Sequence, residues 1–214
     1  MDDIPRLAPE QLRTLDALRT VPGIETFYLA GGSAVALHLG HRRSLDLDLF
    51  SERGSAEDLE ALRAAAVATL GDVRVLQETE TSLRLLIGGV PVDAVRYPYP
   101  LLEAPVVGPY GFRVAGLRDL AAMKLSAIAR RGIRRDFWDL AVILGSGMDI
   151  QSAGGCYLAR FGLTQPDLYH VARALTYFED AERDPVLPAG LTGAAWEEIK
   201  VLFQKESPRL LDGP

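Results

Sequence analysis

Asp46 and Asp48 occupy alternate positions in the run Ser44–Phe50, separated and flanked by Leu45, Leu47 and Leu49. Residues two apart on a strand share a face, about 7 Å apart along the backbone, so this spacing predicts paired carboxylates with Leu47 anchored behind them. Hard divalent cations take oxygen ligands, and magnesium is commonly held by one or two carboxylates together with substrate phosphates. The same alternation belongs to any half-exposed antiparallel strand, and at this point both readings stand. Upstream, Phe27-Tyr28-Leu29-Ala30 leads into Gly31-Gly32-Ser33. A strand ending in such a tight turn before a helix offers bare backbone N–H groups and a hydroxyl, which suit a triphosphate. Read plainly, it is a turn with Ser33 as an N-cap. A third acid, Asp93, sits between Val92 and Ala94, where an unmatched carboxylate costs several kcal/mol. It calls for a cation, or for a salt bridge to Arg84 or Arg96.

The elements that must position these residues follow from periodicity. Pro9 with Leu12, Leu15 and Leu18 predicts a first amphipathic helix, closed by Val21-Pro22-Gly23. Ala34–Leu39 reads as a short helix, and Ser44–Phe50 as a strand with its leucines on one face. Ser55 followed by Asp58 is a capping-box signature for a helix through Leu70, with Gly71 at its C-cap. Ser82–Ile87 and Val90–Tyr97 read as strands joined at Gly88-Gly89. Leu101–Gly111 is rich in proline and glycine and reads as a loop, beyond which strands end. Leu117–Arg131, Arg135–Leu144, Tyr157–Phe161, Pro166–Glu179 and Ala194–Gln204 carry helical periodicity. Strands first and helices later predict an α+β fold, a mixed sheet with flanking helices over residues 1–112 and an all-helical C-terminal part over 113–214.

The 214 residues are 48% hydrophobic, enough for a packed core, and the net charge of -6 argues against a general nucleic-acid coat protein. Cys156 is the single cysteine, which excludes an intrachain disulfide and a cysteine cluster for zinc and suits a reducing, cytoplasmic setting. Met1–Arg6 carries no leader pattern, and no run of about 18 uncharged apolar residues predicts a membrane span.

Gly-Gly-Ser, a short helix, Asp-x-Asp on the next strand and a third Asp on a later one resemble the polymerase-β nucleotidyltransferase superfamily. Lys124-Leu125-Ser126-Ala127-Ile128-Ala129-Arg130, followed by Arg134-Arg135-Asp136-Phe137-Trp138-Asp139-Leu140, is similar to the later motifs of its AbiEii/AbiGii toxin branch. The resemblance spans roughly residues 25–145. It implies a nucleotidyltransferase-like sheet, transfer of a nucleoside monophosphate from an NTP to an acceptor hydroxyl, and Mg2+ or Mn2+ held by Asp46, Asp48 and Asp93. It further implies a toxin of a toxin–antitoxin pair, with tRNA or another RNA as acceptor, a cognate antitoxin as partner, and Asp136 beside Lys124 in the catalytic set.

On this resemblance Gly31, Gly32, Ser33, Lys124, Arg130 and Arg135 become the nucleotide-holding residues, Lys124 as a compact charge and Arg134 or Arg135 as a forked phosphate ligand. Arg135 and Asp139 are also four apart, a spacing that supports a helix without any function, and Asp136 and Asp139 can instead orient Lys124 or an arginine. His38 and His41 read as packing residues, as do Trp138, Met123, Met148 and Cys156. Two alternatives stand beside transfer to RNA. One is a non-catalytic nucleotide- or partner-binding module of the same fold. The other is a transferase acting on a small molecule such as an aminoglycoside.

Overall fold

The computed structural model describes residues 7–52 and 55–212. The chain forms two compact units, residues 1–116 and 117–214.

The first unit is a mixed seven-stranded sheet with helices. Helix α1 (Pro9–Leu18) turns its Leu15 and Leu18 inward. Strand β1 (Tyr28–Leu29) leads straight into α2 (Gly31–Leu39), and β2 (Leu47–Ser51) precedes α3 (Ala56–Thr69). Then come β3 (Val73–Glu78), β4 (Ser82–Ile87), β5 (Val90–Arg96), β6 (Val106–Val107) and β7 (Arg113–Val114). The strand order is β3-β4-β5-β2-β1-β7-β6. The pairs β2–β5 and β1–β7 are parallel; β1–β2, β3–β4, β4–β5 and β6–β7 are antiparallel.

Period-two burial makes the sheet two-faced. Leu47, Leu49, Leu83, Leu85, Val92 and Ala94 are buried on one side, and α3 packs against β3, β4 and β5. The expected Ser55 cap is present: its Oγ accepts the Asp58 N–H at 3.1 Å and the Asp58 carboxylate accepts the Ser55 N–H at 2.6 Å. Leu70, not Gly71, is the C-cap of this helix. Gly88 and Gly89 join β4 to β5 with φ of 55° and 81°, the positive pair a type I′ hairpin turn requires.

Several expectations change. Gly31-Gly32-Ser33 is the first turn of α2, not a turn before it, and the helix begins three residues earlier than Ala34. Strand β2 starts at Leu47, so Asp46 stands just ahead of it, and Leu45 is 70% exposed rather than buried with Leu47 and Leu49. Strand β3 escaped notice because it is an edge strand whose residues are exposed on both faces from Arg74 on, which erases the alternation. Strands β6 and β7 are only two residues each, too short to show a period; β6 lies within the segment read as loop, and β7 lies just beyond it, where strands were expected to have ended.

The second unit is helical: α4 (Leu117–Arg130), α5 (Arg134–Gly145), α6 (Ile150–Phe161), α7 (Leu168–Leu175), α8 (Glu179–Glu182) and α9 (Gly193–Arg209). Helix α4 packs on α5, α6 and α7, and α9 packs on the same three. Phe137 sits among Phe178, Trp196 and Phe203 at ring separations of 5.4, 5.8 and 5.6 Å, in tilted or edge-to-face arrangements that aromatic quadrupoles favour. Arg160 of α6 donates to Asp119 of α4 in a fully buried ion pair. Among the described residues no helix is long and apolar enough to cross a membrane.

Candidate active site

Parallel pairing of β2 and β5 sets Asp48 opposite Asp93, and register partners point to the same side of a sheet. Asp46 joins them from the bend before β2. Its carbonyl accepts from Gln11 Nε2 of α1 at 3.1 Å, and Ser44 Oγ lies 3.2 Å from its Oδ1. One oxygen from each of Asp46, Asp48 and Asp93 lies within 4.8 Å of the others, and all three residues are half-buried.

Bringing three carboxylates together is unfavourable without positive charge. Burial pushes Asp93 above the usual carboxylate range, the neighbouring Asp46 adds to the rise, and Arg84 opposes it. Arg84 Nε lies 3.1 Å from Asp93 Oδ1. This donor set is all oxygen and clustered, and so fits a divalent ion of the magnesium type. The salt bridge and the acid cluster, alternatives in sequence, coexist here.

Gly31 is needed where it stands. Its φ is +60°, and a Cβ there would lie 2.2 Å from Asp48 Oδ2. The Ala30 N–H donates to the Asp48 carbonyl at 3.0 Å, so β2 and the start of α2 are locked together. Ala30, the N-cap, supplies no side-chain bond, and the N–H groups of Gly31, Gly32 and Ser33 have no acceptor within the helix. They are oriented like the amides of an anion site, next to Asp48. The Ser33 hydroxyl, expected to face phosphate, is buried and donates to the Ala30 carbonyl at 3.1 Å. Ser33 thus contributes its backbone only.

Lys124, Asp136, Arg130 and Arg135 belong to the helical unit. Lys124 Nζ is buried between Asp136 Oδ1 at 3.0 Å and Asp139 Oδ2 at 2.7 Å. Arg131 Nε, on an exposed side chain, reaches Asp136 Oδ2 at 2.9 Å. Desolvation pushes the Lys124 ammonium toward neutrality, but Asp139 and Asp136 outweigh it and hold it above its ordinary value. Asp136 is the mirror case: burial raises it, yet Lys124 and Arg131 together hold it below the usual carboxylate range. Arg130 is exposed and Arg135 partly so, and neither has an ion-pair partner among the described residues. Arg134 is taken up structurally, its guanidinium 5.6 Å from the Trp196 ring centroid. His38 Nε2 lies 2.8 Å from the Ala115 carbonyl, a packing role. Sequence reasoning passed over Gln11 and Ser44, which hold Asp46; neither carries a local signal, because each acts through a contact made only on folding.

The family model described as nucleotidyl transferase AbiEii toxin, type IV TA system, matches residues 13–206. The uncharacterized protein aq_aa25 of Aquifex aeolicus is 30% identical over 212 residues, covering 97% of this chain and 98% of that protein. Among solved structures, MenT4, a nucleotidyltransferase toxin of Mycobacterium tuberculosis, superposes with a TM-score of 0.60 at 18% identity, covering 92% of this chain and 82% of that one. The structure of ANT(2")-Ia in complex with adenylyl-2"-tobramycin gives a TM-score of 0.48 at 18% identity over 71% of this chain and 95% of that one. At such identity the likeness to MenT4 is one of fold.

Proposed function

The chain belongs to the AbiEii nucleotidyltransferase toxin family, and from that premise we propose that it moves a nucleoside monophosphate from a nucleoside triphosphate to an acceptor hydroxyl, with tRNA as the acceptor. The observation that carries this reading is the meeting of Asp46, Asp48 and Asp93 within 4.8 Å beside the open amides of α2.

In the proposed reaction the acceptor oxygen attacks the α-phosphorus, the bond from that phosphorus to the bridging oxygen breaks, and pyrophosphate leaves. Asp46 and Asp48 would hold two Mg2+ or Mn2+ ions and Asp93 one of them. Such ions, when bound, lower the pKa of the attacking hydroxyl and stabilise charge on the leaving group. Asp93 would complete the ion that activates the acceptor hydroxyl, whose proton passes to solvent. The amides of Gly31, Gly32 and Ser33 orient the triphosphate, with donors fixed before the substrate arrives. Lys124 and Asp136 complete the proposed catalytic set on the strength of the family resemblance, Asp136 holding the Lys124 ammonium charged and in place. Arg130 and Arg135, without ion-pair partners among the described residues, are the proposed phosphate ligands of the helical unit. A cognate antitoxin and a cytoplasmic setting, where triphosphates and tRNA are abundant, belong to the same proposal.

The test is to incubate purified protein with Mg2+ or Mn2+, each labelled nucleoside triphosphate in turn, and total tRNA. Label moves to tRNA with the parent protein. With Asp46→Asn or Asp48→Asn, nearly isosteric but one charge poorer, transfer falls by at least about 100-fold while the thermal melt stays cooperative. Full activity in both variants overturns the assignment of the acids.

A further inference from the structure

The sheet face that carries the acids continues past Asp93 onto β4 and β3. Arg84 stands opposite Asp93 in antiparallel register, and Leu86, two residues further along β4, stands opposite Arg74. Register partners and residues two apart point to the same side, so Asp48, Asp93, Arg84 and Arg74 share one face. The β-bulge between Val75 and Gln77 preserves this phase, since Gln77 rather than Leu76 meets Arg84. Arg84 and Arg74 are diagonal neighbours, with Cα atoms about 7–8 Å apart in a regular ladder.

This strip is positive in a chain whose net charge is -6. The Arg84 side chain is 48% exposed even while paired with Asp93. Arg74 is exposed and has no ion-pair partner among the described residues. Glu78, the carboxylate within β3 and β4, is opposite buried Leu83 and turns to the other face, 3.2 Å from Arg63 Nε of α3. A polyanion approaching three clustered acids is repelled unless cations beside them offset that field. Two forked guanidinium groups next to the acids are a donor set for phosphodiester oxygens.

We propose that the face of β4 and β3 beside the acids is the docking surface for the sugar-phosphate backbone of a nucleic-acid acceptor, with Arg84 and Arg74 as its phosphate contacts. The proposal rests on the transfer reading of the adjoining site. RNA and single-stranded DNA carry the same phosphodiester chemistry, and the measurement separates them.

Fluorescence anisotropy with labelled tRNA, and separately with a single-stranded DNA, is followed across a salt series for the parent, Arg74→Ala, Arg74→Lys and Arg84→Gln. Each neutralising change lowers the slope of log K against log salt by about 1, while Arg74→Lys keeps the slope. Tighter binding of tRNA assigns RNA; equal binding with the same arginine dependence assigns a backbone contact that reads no sugar. Since Arg74 supports no ion pair among the described residues, Arg74→Ala carries the test even where loss of the Asp93 partner weakens the Arg84 variant. Unchanged slopes in Arg74→Ala and Arg84→Gln overturn the surface. Transfer by the parent to a small-molecule acceptor, without arginine-dependent polynucleotide binding, overturns the surface and spares the transfer reading. Arginine-dependent binding by a protein that transfers nothing does the reverse.

Discussion

At the scale of single residues, the site depends on one side chain that is absent. Gly31 has φ of +60°, and the position of its missing Cβ falls 2.2 Å from Asp48 Oδ2. Gly31→Ala therefore combines a strained backbone with a collision at an acid of the cluster. Displacing a reacting group by about 1 Å can cost about 100-fold in rate, and a loss of that order in kcat, with the secondary structure retained in circular dichroism, is expected. Activity within a few-fold of the parent would show that Asp48 does not need the close approach. Gly31 was readable in sequence as part of a turn motif, but its reason was not. The clash is with an atom 17 positions away, and only the pairing that places β2 against the start of α2 brings them together.

At the scale of elements, the signals that held are those satisfied within one segment. The Ser55–Asp58 box closes its own hydrogen bonds within three residues, and the Gly88-Gly89 turn needs only two positive φ values. Ser55→Ala should then lower stability by about 1 kcal/mol, read from the urea midpoint at constant slope, because the Asp58 N–H loses its acceptor. No change in midpoint would mean that water caps α3 equally well. Elements defined by their neighbours were harder to see. Strand β3 exists because β4 offers it an edge, and β6 and β7 exist because β1 continues the sheet toward them. Their side chains, exposed or too few, leave no periodic trace.

At the scale of the whole molecule, buried charge sets the response to pH. Asp136 is held below the usual carboxylate range, so it stabilises the folded state above its unfolded value of about 3.9, and that contribution is lost as pH falls through the lower folded value. Lys124 is held above its ordinary value, so its contribution is present below about 10.4 and disappears as pH rises through the higher folded value. Between these limits the cluster is insensitive to pH. Urea midpoints measured from pH 6 downward, at about one-unit steps, are expected to fall below about pH 4 in the parent and to fall less steeply in Asp136→Asn. Parallel acid limbs would remove Asp136 from the account of acid stability.

The sequence alone determined the chemistry on offer: two acids spaced by two, a third in an apolar run, a glycine-serine motif, and a later lysine with its acids, together enough for the family and the α+β class. Those are properties of short segments, whose periods and caps are set by local geometry. Tertiary structure decided which acids meet, that Lys124 is enclosed by Asp136 and Asp139, and that Arg84 and Arg74 share the acids' face. Each of these depends on strand register or helix packing between distant segments. A shift of one residue in strand register would send every side chain of that strand to the opposite face, and in a helix it would turn each side chain by about 100°.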